Sequence, residues 1–389
     1  MAAVRVVLVT GKGGTGKTTV AAATAVRAAD LGSRTLLVSS DAAHSLSDVL
    51  GLPIGARPTS ITGQLSAEEL DAQTLLDESW STIREYLQDL LMWAGADEVQ
   101  AGELAVVPGL EELLALRAIS ARVSEDWDAV IVDCAPTAET VRLLALPATI
   151  RTYLERVLPA HRRLARTVAP ILRRRASMPP APAGVLDAVL ALVDDVQALH
   201  ETIADPRTTE VRLVTTPESM VVAETRRLRA YLELFGFAVG TLVINRVSPM
   251  APDDPWLGKV QRAQAPHLKE LHRLFPDLDP IQAPMRPSEI TGLDELNRFA
   301  RAIYGARDPL TRSTSPAPSE ATSSTANTMR IRLPGVTRED VKLARVGATM
   351  LVTVGSFRRS LSVPQHLRGE QATAARIVDG HLEVEFGPA

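Results

Sequence analysis

Cysteine is nearly absent from this chain. Of its 389 residues only Cys134 is a cysteine, and aromatic residues make up 4%. One cysteine excludes an intrachain disulfide, and one thiolate cannot supply the ligand set of a cysteine zinc site or an iron–sulfur cluster. Cluster-based electron transfer and thiolate capture of a metalloid are therefore disfavoured, and a reducing cytoplasm fits. Because Cys134 belongs to an apolar strand, it is predicted to be a core residue.

Long apolar runs and a strong net charge are also lacking. No window approaches the roughly 20 apolar residues of a membrane-spanning helix, and the N-terminus enters a strand directly without a cleavable signal. The formal net charge of -4 argues against a dedicated nucleic-acid binder. The hydrophobic fraction of 46% is ample for a large core, and the length indicates two or three domains. We expect a cytoplasmic protein.

The sequence GKGGTGKTT at residues 11–19 predicts a phosphate-binding loop. A β-branched apolar run at 5–10 precedes it and a helix-like segment at 20–23 follows, which is the strand–loop–helix context that a P-loop requires. The glycines let backbone amides surround an anion, and the helix N-terminus adds positive potential. The expected ligands are ATP and Mg²⁺. The motif alone could be a flexible glycine loop, but its flanks favour nucleotide binding.

Two lysines and a threonine of this loop have expected roles. Lys17 would neutralise the β and γ phosphates, and Thr18 would offer its hydroxyl to Mg²⁺. Lys12 is not needed by a plain P-loop. It is either a solvated surface charge or the mark of the deviant P-loop class, whose extra lysine resembles one that reaches across a dimer interface. The residues expected to bind nucleotide here are Gly11, Lys12, Gly13, Gly14, Thr15, Gly16, Lys17, Thr18 and Thr19.

Two further apolar strands each lead to an aspartate. The run at 34–40 delivers Asp41 to the sheet edge where open α/β folds place their ligands. Asp41 could orient or deprotonate the attacking water, or it could be the N-cap of a helix that begins at Ser45. Asp133 ends the second run in the Walker B pattern and would hold the metal through a water or orient Thr18. The predicted catalytic residues are Asp41, Lys12 and Lys17, and the predicted metal ligands are Thr18 and Asp133.

Five blocks in series resemble the arsenite-pump and tail-anchored-protein targeting ATPase family, of the ArsA and GET-pathway type. They are GKGGTGKTT, DAAHS, DCAPTAET, the strand end VIN and the segment APMRP. The resemblance covers about residues 1–305. It implies an ATP-hydrolysing homodimer in which Asp41 belongs to switch I and residues 133–140 form switch II.

The resemblance also implies a base site. Asn245 would read the adenine, and Pro284 and Met285 would wall the ring. Side-chain chemistry leaves Asn245 open, because an asparagine that ends a strand is as often a turn former. Two departures concern the switches, since this chain has Ala42 where the family usually has proline and Glu139 where it usually has histidine.

Two helical blocks are expected within the nucleotide domain, at about 67–122 and 150–202. In the resembled family such insertions form an apolar groove for a hydrophobic client helix, although apolar stripes face the core in most proteins. An arginine cluster at 162–175 is either a solvated face or a surface attracted to anionic lipid. The predicted stripes are Leu76, Trp80, Ile83, Leu87 and Leu90, then Leu154, Val157, Leu164, Val168 and Ile171, then Leu186, Val189, Val193 and Val196.

The C-terminal part differs in composition from the rest. Residues 306–328 are rich in Ser, Thr, Ala and Pro and are predicted to be a flexible linker. Residues 329–389 have short alternating strands and resemble the α-crystallin domain of small heat-shock proteins, a β-sandwich that holds unfolding clients. The long strand-exchanging loop of bacterial members is missing near residue 356. Because such a small sandwich is marginally stable alone, it is expected to dock onto the ATPase body or onto its twin.

We therefore predict an α/β protein: a P-loop NTPase with a mostly parallel sheet flanked by helices, an inserted helical subdomain, and a C-terminal all-β sandwich. The predicted function is a homodimeric ATPase switch for hydrophobic or membrane-destined protein segments, with transient membrane-surface contact and no nucleic-acid partner. One alternative is a holding chaperone that binds clients through its β-domain. Another is a partitioning-type spatial regulator, although those usually carry a terminal amphipathic helix.

Overall fold

A computed structural model gives the fold of residues 4–40, 45–71, 110–123, 125–134, 205–250, 253–311, 322–325, 327–355 and 357–388, with residues 74–75, 85, 88–89, 92, 191, 194, 198 and 201–203. The chain divides into two compact units. The first comprises Met1–Glu69, Trp127–Val141 and Ile203–Ala389, and the second Leu70–Asp126 and Arg142–Thr202. Helix α3, defined below, belongs to the second unit, and all other helices and strands described here belong to the first.

An eight-stranded sheet forms the centre of the first unit. Its strands are β1 (Arg5–Gly11), β2 (Thr35–Ser39), β3 (Thr59–Ser60), β4 (Leu65–Glu69), β5 (Ala129–Asp133), β6 (Thr209–Thr215), β7 (Val239–Val247) and β8 (Ile281–Pro284). They lie in the order β3-β4-β2-β5-β1-β6-β7-β8. Only the short pair β3 and β4 is antiparallel, whereas the other neighbours are parallel. The mostly parallel P-loop fold predicted from the sequence is confirmed.

Helices connect and cover these strands. They are α1 (Lys17–Asp30), α2 (Ser45–Leu50), α3 (Leu110–Val123), α4 (Ser219–Leu234), α5 (Pro255–Leu274) and α6 (Leu293–Tyr304). Every residue of β1, β2 and β5 is buried, as expected for near-continuous apolar runs in a sheet covered on both faces. The alanines of α1 pack in one core with Leu296 and Phe299 of α6. None of the helices described in this structure is both long and apolar enough to span a bilayer.

Strand β4 corrects the predicted start of the first helical block. The block is expected to begin at residue 67, but β4 continues to Glu69 and pairs with β2 along its whole length. Acidic residues are depleted in strands, so the sequence LSAEE does not indicate one. Glu68 and Glu69 are nevertheless buried. The apolar stripes predicted for both blocks, and the arginine cluster at 162–175, lie outside the described residues.

The C-terminal part is the predicted β-sandwich. Its strands are β9 (Thr322–Ser324), β10 (Thr328–Arg332), β11 (Val341–Val346), β12 (Thr349–Val354), β13 (Phe357–Ser362), β14 (Gln371–Val378) and β15 (His381–Gly387). One sheet has the order β14-β15-β10-β9 and the other β11-β12-β13. In β12 and β15 buried and half-buried residues alternate, so each presents one face to the sandwich core. Strand β9 lies within the predicted linker 306–328, so ordered pairing begins before residue 329.

The sandwich docks onto the nucleotide fold through an ion network on α4. Arg332 of β10 donates to Glu233 and to Asp277, at 2.6 Å in each case. Arg229 of α4 donates to the same two carboxylates, at 2.9 Å and 2.5 Å. We call Arg229, Glu233, Asp277 and Arg332 the docking network. The sandwich thus contacts the ATPase body, which is one of the two partners expected for it.

Closer packing accompanies these ions. Gly355 has a φ of 58° and lies against Tyr231 of α4, where an added Cβ would lie 2.3 Å from the phenol oxygen. The Arg359 guanidinium lies 5.9 Å from the ring centre of Phe235. The hairpin between β12 and β13 pairs Val354 with Phe357. This agrees with the expected lack of a long loop there.

Candidate active site

The glycine-rich loop connects β1 to α1 and is shaped by its backbone. Gly11 packs so tightly on β6 that an added Cβ would lie 2.1 Å from the Val214 carbonyl oxygen. The Thr15 hydroxyl donates to the Lys12 carbonyl at 2.8 Å and closes the bend. Gly16 adopts a φ of 90° and forms the N-cap of α1. Glycine is therefore required at both ends of the loop.

The N-terminus of α1 is open to an anion. No side chain caps it, and its first turn contains no acidic residue. The unbonded N–H groups of a first turn carry partial positive charge and bind phosphate oxygens. Lys17 is the first residue of α1 and is 6% exposed, so its charge lies within this cradle. The arrangement fits a polyphosphate.

Thr18, Asp133 and Ser45 meet beside the loop. The Thr18 hydroxyl donates to Asp133 Oδ2 at 2.6 Å and lies 3.1 Å from the Ser45 hydroxyl. Asp133 ends β5, which is parallel to β1 in the sheet, so the carboxyl ends of both strands deliver these groups to one edge. The proposed orientation of Thr18 by Asp133 is present as a direct hydrogen bond. Ser45 is the last residue of the DAAHS block, but no role beside Thr18 was predicted for it from the sequence.

This donor set fits Mg²⁺. Hydroxyl and carboxylate oxygens are the hard ligands that this ion prefers, and it keeps most of its coordination for water and phosphate. Thr18 and Asp133 are the side chains that would hold it. In the described ranges no cluster of three or more His, Cys, Asp or Glu residues suits a metal held entirely by protein.

Glu69 was not singled out by sequence reasoning but caps α2. Its Oε1 accepts from the N–H groups of Leu46 and Ser47 at 2.7 Å and 3.0 Å, and its Oε2 accepts from the Ser47 hydroxyl at 3.0 Å. A buried carboxylate of β4 thus serves the helix start for which Asp41 was considered as a cap. Asp41, Ala42 and His44 lie outside the described residues, as do residues 135–140 with Glu139.

Lys12 pairs within its own chain. Its Nζ lies 3.0 Å from Glu224 Oε2 on α4, and both side chains are 31% exposed. An ion pair this accessible to water is weak, at about 0–1 kcal/mol. The pair holds Lys12 near the loop, and breaking it costs little free energy.

Asn245 contacts the phosphate loop directly. Its Nδ2 donates to the Thr15 carbonyl at 2.8 Å, and its Oδ1 accepts from the Arg246 N–H at 2.9 Å. An added Cβ on Gly16 would lie 2.4 Å from the same Nδ2. Strand β7 runs two residues past Asn245, so this side chain lies inside a strand end and not in a free turn.

A cavity of about 890 Å³ opens beside Asn245. Its volume falls in the range of small-molecule sites. The predicted base-site residues are therefore brought together with the phosphate loop in one pocket. Its lining includes Gly16, Thr19, Asp48, Asn245, Arg246, Pro284, Met285 and Arg286.

Cys134 is chemically quiet. It is buried, its N–H donates to the Val9 carbonyl at 3.0 Å, and it lies beside Asp133. Burial first, and then the neighbouring Asp133 charge, raise the pKa of the thiol from 9.0 to about 12, against a smaller lowering by Lys17. The thiol therefore stays protonated at neutral pH, in agreement with its predicted place in the core.

Comparison with known proteins agrees with this geometry. A family model described as Anion-transporting ATPase matches residues 4–305, and one described as HSP20-like domain found in ArsA matches residues 325–386. A protein of Chlorobaculum tepidum named "Putative arsenical pump-driving ATPase" is 32% identical over 98% of this chain and 96% of its own. "Putative arsenical pump-driving ATPase 1" of Aquifex aeolicus is 29% identical over 96% of this chain and 97% of its own. "ATPase ASNA1 homolog 1" of Paramecium tetraurelia is 29% identical over 76% and 91%.

Proposed function

Because the chain belongs to the anion-transporting ATPase family and is an ATPase, as its sequence predicts, we propose that it works as a homodimeric switch. In this proposal ATP lies between two copies, and its hydrolysis resets a protein that handles hydrophobic or membrane-destined protein segments in the cytoplasm. The observation that carries the nucleotide part of this proposal is the convergence of an open helix N-terminus, the bonded pair Thr18 and Asp133, and a cavity of about 890 Å³ at Asn245.

Within one copy, different residues bind different parts of the nucleotide. The amides of 11–19 and the Lys17 ammonium bind the phosphates, and Asn245 with Pro284 and Met285 binds the base. Thr18 and Asp133 would hold Mg²⁺, which would supply positive charge to offset that of the phosphates. Asp41 orients the attacking water. Phosphoryl transfer depends mainly on such positioning and charge stabilisation.

The second copy supplies a further cation. Lys12 leaves Glu224 and reaches the partner's nucleotide, which places positive charge where the transition state is most negative. The face that carries the site supports association, because three large apolar side chains are exposed on the segments that follow β6 and β7. They are Met220, Met250 and Trp256, at 74%, 89% and 63% exposure. A second copy at this edge would cover these side chains and remove apolar surface from water.

The client part of the proposal rests on the family and on the apolar stripes of the sequence. Bound ATP would close the dimer and set the helical insertions, whose stripes would hold a hydrophobic segment. The second copy, hydrophobic protein segments and, transiently, an anionic membrane surface are the proposed partners. No metalloid substrate is proposed, because one cysteine per chain cannot form a thiolate site for it.

Lys17→Ala tests the nucleotide proposal. We expect loss of ATP hydrolysis on the order of 10³-fold or more, because the cation that neutralises the β and γ phosphates is removed. Hydrolysis of ATP by the full-length protein, measured as released phosphate, reports this directly. A variant that hydrolyses ATP at the wild-type rate would remove Lys17 and its loop from the chemistry.

The holding-chaperone alternative is favoured by one observation. The C-terminal sheet ends in β14, an edge strand whose residues are mostly exposed and which could accept a client strand. The two functions separate in one assay, suppression of model-client aggregation. Protection that is unchanged in the Lys17→Ala protein favours holding by the β-domain, whereas protection that requires ATP favours the switch.

A further inference from the structure

A glutamine of α5 holds residues 246–248, which are the last two residues of β7 and the residue after them, and which we call the held loop. Gln264 accepts from the Ser248 N–H through Oε1 at 2.9 Å and donates through Nε2 to the Arg246 carbonyl at 3.0 Å. One amide therefore satisfies two backbone groups that lie two residues apart. The side chain is half-buried on the helix surface. Gln264 belongs to none of the five sequence blocks that carry the family resemblance.

The held loop has an unusual backbone. Arg246 has a φ of 56°, the left-handed region that residues with a Cβ avoid unless their surroundings hold them. The pairing of β7 with β8 shifts register between Ile244 and Val247, at the same place. On the far side, the Met285 N–H donates to the Val247 carbonyl at 2.8 Å. The loop is thus tied to β8 on one side and to Gln264 on the other.

This conformation sets the direction of the Asn245 amide. The Arg246 N–H that Asn245 Oδ1 accepts is presented by the left-handed residue itself. With Oδ1 held there and Nδ2 on the Thr15 carbonyl, one N–H and one lone pair of the amide remain for a ligand. Adenine offers an adjacent donor and acceptor, whereas guanine offers two acceptors at the corresponding edge. An amide that is fixed in one orientation distinguishes the two bases, and a rotating amide does not.

We propose that Gln264 is a positioning residue for base recognition, and that its amide, by holding Arg246 and Ser248, fixes Asn245 for adenine and against guanine. This inference rests on the proposed function, in which Asn245 reads the base. Gln264 acts through the loop and touches neither the base nor the phosphates.

A neighbouring glutamine provides a matched control. Gln261, one turn earlier on α5, donates to the Pro249 carbonyl at 2.5 Å. Pro249 does not line the cavity, whereas Arg246 does. Leucine and glutamate have helix propensities close to that of glutamine, so substitutions at either position leave α5 intact.

The experiment uses full-length Gln264→Leu, Gln264→Glu and Gln261→Leu proteins. A fluorescent ATP analogue is displaced by ATP and, separately, by GTP, and kcat and KM for ATP are measured in parallel. For Gln264→Leu we expect the Kd for ATP to rise about tenfold while the Kd for GTP changes less than about twofold, because about one directed hydrogen bond is lost. The KM rises and kcat is retained. Gln264→Glu should be intermediate, because its carboxylate accepts from Ser248 but cannot donate to Arg246.

The outcomes separate the inference from the function beneath it. The positioning role is overturned if Gln264→Leu prefers ATP over GTP as strongly as the wild-type protein does. It is also overturned if Gln264→Leu and Gln261→Leu both bind ATP and GTP equally more weakly. Wild-type protein that fails to bind ATP, or that binds GTP equally well, overturns base reading by Asn245 and the inference with it. Selective loss of ATP preference in the Gln264 variants alone supports the proposal.

Discussion

Cations of the phosphate site and cations of the docking network are held in opposite ways. Lys12 meets one carboxylate, Glu224, and both side chains are 31% exposed. Arg229 meets two carboxylates, has a side-chain exposure of 1%, and lies 5.0 Å from the Phe275 ring centre. The first cation is free to change partners, whereas the second is fully engaged.

The difference follows from what each charge has to do. A cation that must reach a developing negative charge has to leave its resting partner cheaply, which an exposed pair permits. A cation that joins two parts of a fold is useful only if it stays, and removal of one member of a buried pair leaves uncompensated charge behind. Substitutions at the first site should therefore change turnover without changing stability, and those at the second should do the reverse.

Among substitutions that test this comparison, Lys12→Ala should have the largest effect. Turnover should fall on the order of 10³-fold, as for other cations supplied across an interface, while ATP affinity of the single copy and thermal stability are retained. Phosphate release, titration with ATP and thermal unfolding measure the three quantities. Lys259→Ala, which removes an exposed lysine of α5, is the control. Unchanged hydrolysis would reject a cross-dimer role for Lys12.

Arg229→Ala should show the opposite pattern. We expect the attachment of the sandwich to weaken by about 3 kcal/mol, because Glu233 and Asp277 lose a buried partner and only Arg332 remains. Faster hydrogen exchange in β10 and earlier proteolysis at residues 306–328 would report it, with turnover per folded molecule unchanged. Arg226→Ala, which removes a longer and more exposed ion pair at 3.7 Å from Asp340, is the control. If Arg229→Ala and Arg226→Ala weakened the attachment of the sandwich equally, the docking network would have no special role in it.

Acid should weaken the same attachment through Asp277. Burial alone would raise the pKa of this carboxyl, but the hydrogen bond and charge of Arg229, with the Arg332 charge, outweigh burial and lower the pKa below its ordinary value of 3.8. A lowered folded pKa stabilises the protein above that ordinary value and loses its contribution as pH falls through the folded pKa. The protection of β10 amides, which is the intrinsic exchange rate divided by the observed rate at the same pH, should therefore fall below about pH 4. Asp277→Asn should reduce this dependence, whereas Asp279→Asn should keep it.

Glu224→Gln should have the smallest effect. Release of Lys12 from its resting partner favours the closed dimer, so turnover at low protein concentration should rise about twofold and by no more than about fivefold. Turnover measured against protein concentration distinguishes easier association from faster chemistry. A decrease would mean that Glu224 assists catalysis directly and does not simply hold Lys12.

Much of the phosphate site could be predicted because its signals are local. The loop, the strand before it and the aspartate that ends β5 are short patterns whose spacing fixes their geometry. The hydrogen bond from Thr18 to Asp133 follows, since parallel neighbouring strands bring their carboxyl ends together. The sandwich strands could be predicted for the same reason, from a period of two.

Contacts between distant segments could not be predicted in this way. Arg332 meets Glu233 across 99 residues, and nothing in either local sequence names the other. Strand β4 was missed because its glutamates oppose a strand locally, although both are buried and Glu69 caps α2. In the sequence, Gln264 cannot be distinguished from any other polar residue of a surface helix, because its role depends on the backbone groups that it contacts. These features depend on tertiary partners, which override local preference.

Helix α4 carries both the carboxylate that pairs with Lys12 and a carboxylate of the docking network. Glu224 lies near its start and Glu233 near its end, nine residues apart, which corresponds to about 14 Å along a rigid axis. A tilt or slide of this helix at the nucleotide end is therefore transmitted to the C-terminal sheets without any flexible element between them. A fluorescent probe attached to the outer strand β14 would then report events at the phosphate loop.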